Sequence, residues 1–232
     1  SKTGGFITES EWKDAATDYT PFTPKRFWLG GDYAGEDTKS REVDQSVLIG
    51  IENTKDLKDR DIVKLCYYKE FPIRAKKENT YDEIRLLSKQ VIKFAYDKVG
   101  IGDSVKNDLK ERNILSDSKI EALTYSLPNK SEVYYNLKHL FEQRKIIVPS
   151  HLNKLKEQLL GLSFEKTEGG YIKIHHKTEG IHDDLADALA NACYAARILR
   201  GAEPYIGVAK KAYYSESILN QGPNTLICPS CE

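Results

Sequence analysis

Three β-prone runs lie close together in the first third of this chain, and their spacing constrains the fold more than any other feature. The runs are Phe27–Gly31, Val47–Glu52 and Ile62–Tyr68. The polar connections between them are short enough for neighbouring strands to pair antiparallel. The sequence therefore predicts a sheet that begins with three adjacent antiparallel strands.

Beyond these runs the pattern changes to alternating helices and strands. Thr80 is a candidate N-cap for a helix that begins at Tyr81, with Glu83 completing a capping box. Gly169-Gly170 is typical of a hairpin turn between β-prone residues 163–167 and 171–175. Further strands are predicted at Phe94–Tyr96, Ile120–Tyr125 and Ile146–Val148, and further helices from Asp103 or Ser104 to about Arg112, from Pro128, over Leu152–Leu162 and over Asp183–Arg200.

These elements indicate an α/β fold, with a mixed sheet of five or more strands and helices on both faces. A chain of 232 residues can form one such domain with a buried core. We place the domain at residues 27–200. Residues 1–26, which are polar and contain Pro21 and Pro24, are predicted to be a lead-in segment, and residues 201–232 a C-terminal tail.

The overall charge excludes a strongly basic DNA-binding protein, because 35 Lys and Arg side chains balance 35 Asp and Glu. Any binding to nucleic acid must use locally arranged basic residues, and we expect it to be weak and salt-sensitive. No apolar run reaches the roughly 18 residues of a membrane helix. The Gly-x-x-x-x-Gly-Lys-Ser/Thr motif that binds ATP phosphates does not occur.

The four cysteines fall into two groups. Cys66 and Cys193 lie in strand-like and helix-like runs and are predicted to be reduced core thiols. Cys228 and Cys231 form a CxxC pair without the second pair that a zinc ribbon needs, so a truncated zinc module stays an open alternative. The chain begins Ser-Lys-Thr and contains no methionine, and the simplest expectation is a domain of a longer protein.

Two aspartates are predicted to stand where strands end. Asp32 follows the first apolar run, and two small residues after it leave room for a bulky substrate. Asp97 follows the run Phe94–Tyr96 and precedes a Gly-x-Gly turn that a backbone or phosphate can approach closely. Taken alone, Asp32 is more typical of a turn aspartate, and Asp97 is as typical of a polar residue that ends an element.

The most specific stretch is His-Asp-Asp-Leu-Ala-Asp at 182–187. Asp184 and Asp187 lie near one face of the first helical turn, where the helix dipole favours negative charge. Helix capping explains one aspartate well but explains three after a histidine less well, so we favour a functional site. Small residues farther along would let this helix pack closely onto the sheet: Ala186, Ala188, Ala190, Ala192, Ala195 and Ala196.

In order and spacing, these motifs resemble the nuclease domain of the large terminase subunit of tailed viruses, which belongs to the RNase H-like (RuvC-like) superfamily. The resemblance runs from about Phe27 to Arg200. It includes Pro-Asn-Lys-Ser-Glu at 128–132, Lys-Ile-Ile-Val-Pro at 145–149 and Gly-Tyr-Ile-Lys-Ile-His at 170–175.

The resemblance implies a catalytic centre that binds two divalent cations, Mg²⁺ or Mn²⁺. It implies that Asp32 bridges both metals and that Asp97 is the second carboxylate ligand. The third carboxylate comes from the start of the last helix. We prefer Asp184, because its relation to Asp187 resembles the paired aspartates of RuvC-type resolvases. Asp183 competes with it, and Asp187 is a further candidate ligand.

The chemistry of such a centre suits these residue types. Carboxylates and waters satisfy hard cations, and two ions about 3.5–4 Å apart can activate a water and stabilise a leaving 3′ oxygen. His182 can orient a carboxylate or the water, or it can cap the helix. A basic cluster is a candidate phosphate-binding edge, with a solvated edge as the alternative: Lys173, His175, His176 and Lys177.

The resemblance further implies a metal-dependent endonuclease that cuts concatemeric viral double-stranded DNA during packaging, in the cytoplasm of an infected host cell. The expected partners are a packaging ATPase domain upstream in the full-length chain, the portal protein and the small terminase subunit. Two alternatives stay open. One is a Holliday-junction resolvase or transposase of the same superfamily, and the other is a non-catalytic module that binds DNA or the portal.

Overall fold

The computed structural model describes residues 3–34, 45–99, 104–176 and 182–197. Within these ranges the strands are β1 (Thr3–Gly5), β2 (Ala16–Thr17), β3 (Phe27–Asp32), β4 (Val47–Lys55), β5 (Asp61–Glu70), β6 (Val91–Asp97), β7 (Ile120–Leu123), β8 (Ile146–Pro149), β9 (Leu162–Lys166) and β10 (Ile172–His176). The α-helices are α1 (Glu9–Ala15), α2 (Lys77–Leu87), α3 (Ser104–Glu111), α4 (Leu127–Glu142), α5 (Asn153–Gly161) and α6 (Asp184–Ala195). None of these helices is long and apolar enough to cross a membrane. The Gly-x-Gly turn, Asp103, Lys177, Cys228, Cys231 and the predicted tail lie outside the described residues.

Seven strands form the central sheet, in the order β2-β8-β5-β4-β3-β6-β7. β3 pairs antiparallel with β4, and β4 with β5, as their short connections predicted. β6 pairs parallel with β3 on the other side, and β7 parallel with β6. The predicted mixed sheet of five or more strands is therefore confirmed.

Helices cover both faces of this sheet, which confirms the predicted layering. Successive residues of β3 point to opposite faces, so Trp28 joins one core cluster while Phe27 and Leu29 join the other. The first cluster contains buried residues of α1, α4, α5 and α6, and the second contains those of α2 and α3. Cys66 and Cys193 are buried free thiols, as predicted.

Helix α6 lies at the centre of the first layer, and each of its residues from Asp184 to Ala195 is buried. Its alanines pack onto the sheet at Gly30. A Cβ atom on Gly30 would lie 2.0 Å from the Ala188 carbonyl oxygen and 2.3 Å from the Ala192 amide nitrogen. The backbones of helix and strand are thus in direct contact, and this contact fixes α6 relative to the end of β3.

A second, three-stranded sheet has the order β1-β9-β10. β9 and β10 form the hairpin predicted at Gly169-Gly170. Gly170 has a φ of 80°, which glycine adopts without strain, and its N–H donates to the Thr167 carbonyl at 3.0 Å. β1 adds to the free edge of β9 in antiparallel register.

Residues 3–17 correct the prediction of a lead-in segment without a core element. Phe6 and Trp12 are 0% and 4% exposed and belong to the first core cluster. Thr8 caps α1 in a capping box with Glu11. The prolines at 21 and 24 come after these elements, so they do not prevent the segment from packing. The domain boundaries at residues 27 and 200 stay predictions.

Helix α2 corrects a second local prediction. It begins at Lys77, and Thr80 lies inside its first turn, where the hydroxyl donates to the Lys77 carbonyl at 2.6 Å. Glu83 does not complete a capping box. It accepts a hydrogen bond from Tyr67 and pairs with Lys69 of β5. Tertiary partners on the neighbouring strand therefore override the local capping signal.

Candidate metal centre

Asp32 and Asp97 end two neighbouring parallel strands. Gly31 of β3 pairs with Tyr96 of β6, so the next residue on each strand is one of the two aspartates. Parallel strands end at the same edge of a sheet, where open α/β sheets form their ligand crevices. The fold thus places these two predicted site residues at one edge.

The start of α6 brings three more aspartates to Asp32. Burial raises the pKa of Asp32 well above its ordinary value, and the negative charges of Asp187 and Asp184 add to the rise. Asp183 adds a smaller contribution, and Lys130 opposes the rise. We call these five side chains the acid cluster: Asp32, Asp97, Asp183, Asp184 and Asp187.

Asp187 is the member whose surroundings are clearest. Burial raises its pKa to about 7, Lys130 opposes the rise, and Asp183 and Asp97 strengthen it. The hydroxyl of Tyr134 donates a hydrogen bond to its Oδ1 atom. Like charges brought together in a buried site resist ionising together, so the cluster needs a nearby cation to hold its full negative charge.

Asp97 is held by two backbone amides. Its Oδ1 atom accepts the N–H of Val99 at 3.0 Å and that of Tyr125 at 3.3 Å. Burial raises the pKa of Asp97, and these two hydrogen bonds together with Lys130 oppose the rise. The carboxylate therefore has a fixed orientation at the end of β6.

Capping does not explain the acidic start of α6. Asp183 occupies the N-cap position, but its side chain makes no capping hydrogen bond. The Oε1 atom of Gln158, on α5, accepts the N–H groups of Leu185 at 2.9 Å and Ala186 at 3.1 Å. Gln158 thus caps the helix, a role that the sequence had offered to His182, and the three aspartates require another explanation.

Lys130 is the cation at the centre of the cluster, and sequence reasoning did not single it out. Its Nζ atom lies 3.5 Å from Oδ2 of Asp187 and 3.8 Å from Oδ2 of Asp183. It stands in the first turn of α4, where the helix dipole disfavours positive charge. That misplaced charge is the sequence signal that could have identified it.

Asn191 links α6 to the end of β3 and to Tyr125, whose amide binds Asp97. It is fully buried, its Nδ2 atom donates to the Gly31 carbonyl at 3.0 Å, and its Oδ1 atom accepts the Tyr125 hydroxyl at 2.7 Å. Gly31 precedes Asp32, and the Tyr125 amide binds Asp97. A lone amide in an alanine-rich helix, four residues after Asp187, is the signal that could have revealed it.

The donor chemistry of the cluster fits a hard divalent cation, because its side chains offer only carboxylate oxygens. Within residues 3–34, 45–99, 104–176 and 182–197, however, no three carboxylate, imidazole or thiolate groups are arranged as ready-made ligands of one ion. The carboxylates of Asp183 and Asp187 instead surround the ammonium group of Lys130. The ligand atoms are therefore of the type that a divalent cation binds, but in this structure two of the carboxylates pair with Lys130.

Three residues of the predicted phosphate-binding cluster lie on β10: Lys173, His175 and His176. Lys173 is exposed, and Nε2 of His175 lies 3.8 Å from Oε2 of Glu165. The N–H of Ile172 donates to the Ser131 hydroxyl at 2.9 Å, which attaches the hairpin to α4 one residue from Lys130. The side chain of His176 and all of Lys177 lie outside the described residues, and phosphate binding stays a prediction.

Comparison with known proteins gives matches in structure. No protein-family model matches this chain, and no curated protein matches it. The magnesium-bound large terminase nuclease of thermophilic phage G20c matches with a TM-score of 0.59 and 19% identity, over 80% of this chain and 95% of that one. The nuclease domain of the Thermus phage P74-26 large terminase matches with a TM-score of 0.55 and 17% identity, over 79% and 92%.

The fold is that of phage large terminase nuclease domains. The resemblance predicted from the motifs is therefore confirmed at the level of the fold, which is RNase H-like. The large terminase of bacteriophage HK97 matches with a TM-score of 0.64 and 13% identity over 84% of this chain but 44% of its own length. This chain therefore spans less than half the length of the HK97 large terminase. The G20c nuclease has also been solved with bound cobalt and with bound zinc.

Proposed function

We propose that this chain is the nuclease domain of a phage large terminase, a metal-dependent endonuclease that cuts concatemeric double-stranded DNA by two-metal phosphodiester hydrolysis. The observation that carries the proposal is the acid cluster itself. Asp32 and Asp97 end adjacent parallel strands, and α6, packed in backbone contact on Gly30, adds three more aspartates. The G20c relative of the same fold binds magnesium.

Each residue of the cluster has a proposed role. Asp32 and Asp97 hold the divalent cations together with at least one of Asp183, Asp184 and Asp187. Bound Mg²⁺ or Mn²⁺ would supply an activated water and stabilise the leaving oxygen. Val99 and Tyr125 fix the carboxylate of Asp97 through their amides. His182, half-buried next to Asp183, orients a carboxylate or the water.

The DNA path is proposed to run along the hairpin edge. Lys173 and His175 point away from the core, because Ile172 and Ile174 on the same strand pack against it. Lys173 and His175 would contact phosphates and position the duplex without reading its sequence. His176 and Lys177 stay candidates from the sequence. The balanced charge of the whole chain leads us to expect weak binding that falls steeply with salt.

The remaining parts of the proposal concern the larger assembly. We infer an ATPase domain upstream in the full-length protein, with the portal protein and the small terminase subunit as partners and the host cytoplasm as the place of action. The share of the HK97 large terminase that this chain covers, 44%, leaves room for such a domain.

A plasmid-cleavage assay tests the proposal. The 232-residue chain should cut supercoiled plasmid with Mn²⁺, stop with EDTA, and lose activity when Asp32→Ala is introduced. Asp82→Ala is the matched control, because Asp82 lies on α2 with a side chain 71% exposed. Full cutting by the Asp32→Ala protein would refute the assignment.

A junction-cleavage assay and a binding assay separate the two alternatives. Preferential cutting of a four-way junction over linear duplex would favour a resolvase or transposase-type nuclease. Tight binding of DNA or portal protein without metal-dependent cutting would favour a non-catalytic module.

A further inference from the structure

Lys130 occupies the position that a cation of the acid cluster would need. Its Nζ atom lies within 3.8 Å of an oxygen of both Asp183 and Asp187. Its charge also acts on Asp32 and Asp97, whose carboxyl groups it helps to ionise. A single ammonium group thus interacts with aspartates from β3, β6 and α6.

The ammonium group rests on two aromatic rings. It lies 5.0 Å from the ring centre of Tyr125 and 5.4 Å from that of Tyr134, within the range of cation–π attraction. Tyr134 also donates to Asp187, and Tyr125 donates to Asn191. The rings that support the lysine are therefore fixed by the same network that holds the acids.

A divalent ion and this ammonium group compete for the same oxygens. Magnesium binds carboxylate oxygens at about 2.0–2.1 Å, so an ion on Oδ2 of Asp183 or Asp187 would lie close to Nζ. The two positive charges would repel each other at short distance. This repulsion favours departure of the ammonium group when the ion binds.

We propose that Lys130 is the resident counter-ion of the acid cluster and that a divalent cation, when it binds Asp183 and Asp187, displaces the Lys130 ammonium group towards solvent. The proposal rests on the function proposed above and adds a regulatory step to it. The cluster is kept neutral enough to fold without metal, and metal loading is coupled to release of a lysine at the base of the hairpin. The freed ammonium group is then available to a DNA phosphate.

The matched control lies on the same helix. Lys138 also rests on two aromatic rings, at 5.9 Å from Phe6 and 5.3 Å from Phe164, but its Nζ atom donates to the Phe6 carbonyl at 2.7 Å. Its Nζ atom also pairs with Glu142 at 3.2 Å. Lys138→Met therefore removes a half-buried lysine that rests on aromatic rings, without touching the acid cluster. Lys130→Met removes the counter-ion and keeps a side chain of similar length.

Calorimetric titration of Mn²⁺ into the metal-free chain at pH 8 gives the first measurement. Lys130→Met should bind Mn²⁺ at least tenfold more tightly than the unaltered chain, with a lower melting temperature in EDTA and a larger rise on adding Mn²⁺. Lys138→Met should leave the Mn²⁺ dissociation constant unchanged. Equal affinities in Lys130→Met and the unaltered chain would overturn the proposal.

Displacement is tested directly by NMR on the chain with ¹³Cε-labelled lysine, in which the Lys130 signal is assigned by its loss in Lys130→Arg. Saturating Mg²⁺ should move this signal to the position of exposed lysines and leave the Lys138 signal in place. A Lys130 signal that keeps its metal-free position at saturation would overturn the proposal.

The outcomes also separate this proposal from the proposed function. Metal-dependent plasmid cutting with unchanged Lys130 signals would leave the nuclease in place and refute the displacement. Displacement of Lys130 by metal without plasmid cutting would refute the nuclease and keep the displacement. Failure of the unaltered chain to bind Mn²⁺ would refute both.

Discussion

The two faces of the central sheet differ in what they bury. The α6 side buries five polar or charged residues: Ser131, Gln158, Asp184, Asp187 and Asn191. The α2–α3 side buries the polar Thr80 of α2 and is otherwise an apolar and aromatic core, in which Phe94 stacks on Tyr96 with ring centres 5.5 Å apart and Tyr81 is fully buried. Buried polar groups reduce stability unless they are paired, so their concentration on one side marks the layer that serves function, while the other side serves packing.

The largest expected effect is a difference between one substitution on each face: one should lose activity, and the other should lose stability. Asp32→Asn should reduce plasmid cutting by on the order of 10²–10³ or more, while its melting temperature in EDTA stays the same or rises, because a repelled buried charge has been removed. Leu109→Ala, on the α3 side, should lose about 2–5 kcal/mol of stability and keep its cutting rate per folded molecule. Equal losses of activity in both variants would erase the distinction between the faces.

The contact between α6 and β3 gives the second prediction. Gly30→Ala places a methyl group 2.0 Å from the Ala188 carbonyl oxygen, and such overpacking should destabilise the fold by about 3 kcal/mol or more. Urea unfolding provides the measurement. Gly169→Ala is the control, because its nearest non-neighbouring atom would be 3.5 Å away. If Gly30→Ala proves as stable as Gly169→Ala, the backbones of α6 and β3 do not lie as close together at Gly30 as this structure places them.

Asn191 tests whether the buried polar network positions the acids. Asn191→Leu leaves the Gly31 carbonyl and the Tyr125 hydroxyl without their partner, which should cost about 1–3 kcal/mol. It should also weaken Mn²⁺ binding, since Gly31 and Tyr125 adjoin Asp32 and Asp97. Calorimetric titration measures this, with Tyr125→Phe, which loses one of the two bonds, as an intermediate case. An unchanged Mn²⁺ affinity in Asn191→Leu would limit its role to stability.

The smallest expected effect is a pH dependence of stability that comes from Asp187 on the α6 side. Folding raises the pKa of Asp187 from 3.8 to about 7, so between these values the unfolded chain binds fewer protons than the folded one. The stability that this group contributes is full below pH 3.8 and is lost as the pH rises through about 7. In EDTA, the unaltered chain should lose about 1 kcal/mol per pH unit between pH 5 and 7 relative to Asp187→Asn. Parallel stability curves would contradict the raised pKa.

Much of the fold could be predicted from local sequence. β-branched and aromatic runs gave β3, β4 and β5, and the Gly169-Gly170 turn gave the β9–β10 hairpin. The packing of residues 3–17 was not predicted, because β1 pairs with β9, about 160 residues later in the chain. Periodicity and turn signals carry no information about pairing over that distance.

The candidate site was predictable only in part. Asp32, Asp97 and the aspartates of 182–187 stand at element boundaries, which sequence patterns can show. Lys130, Gln158 and Asn191 act across space on residues of other elements. Their partners became visible only once the layers were assembled. The sequence also could not decide which of Asp183, Asp184 and Asp187 binds metal, because the charges of all three act on Asp32.

Anomalous diffraction from crystals of this chain soaked in Mn²⁺ tests the central claim most directly. The account predicts two peaks about 3.5–4 Å apart, held between Asp32, Asp97 and at least one aspartate of α6, with the Lys130 ammonium group moved away from Asp183 and Asp187. The same map would identify which of the α6 aspartates binds metal. An acid cluster without a peak at saturating Mn²⁺, still holding Lys130, would contradict the metal centre and the function built on it.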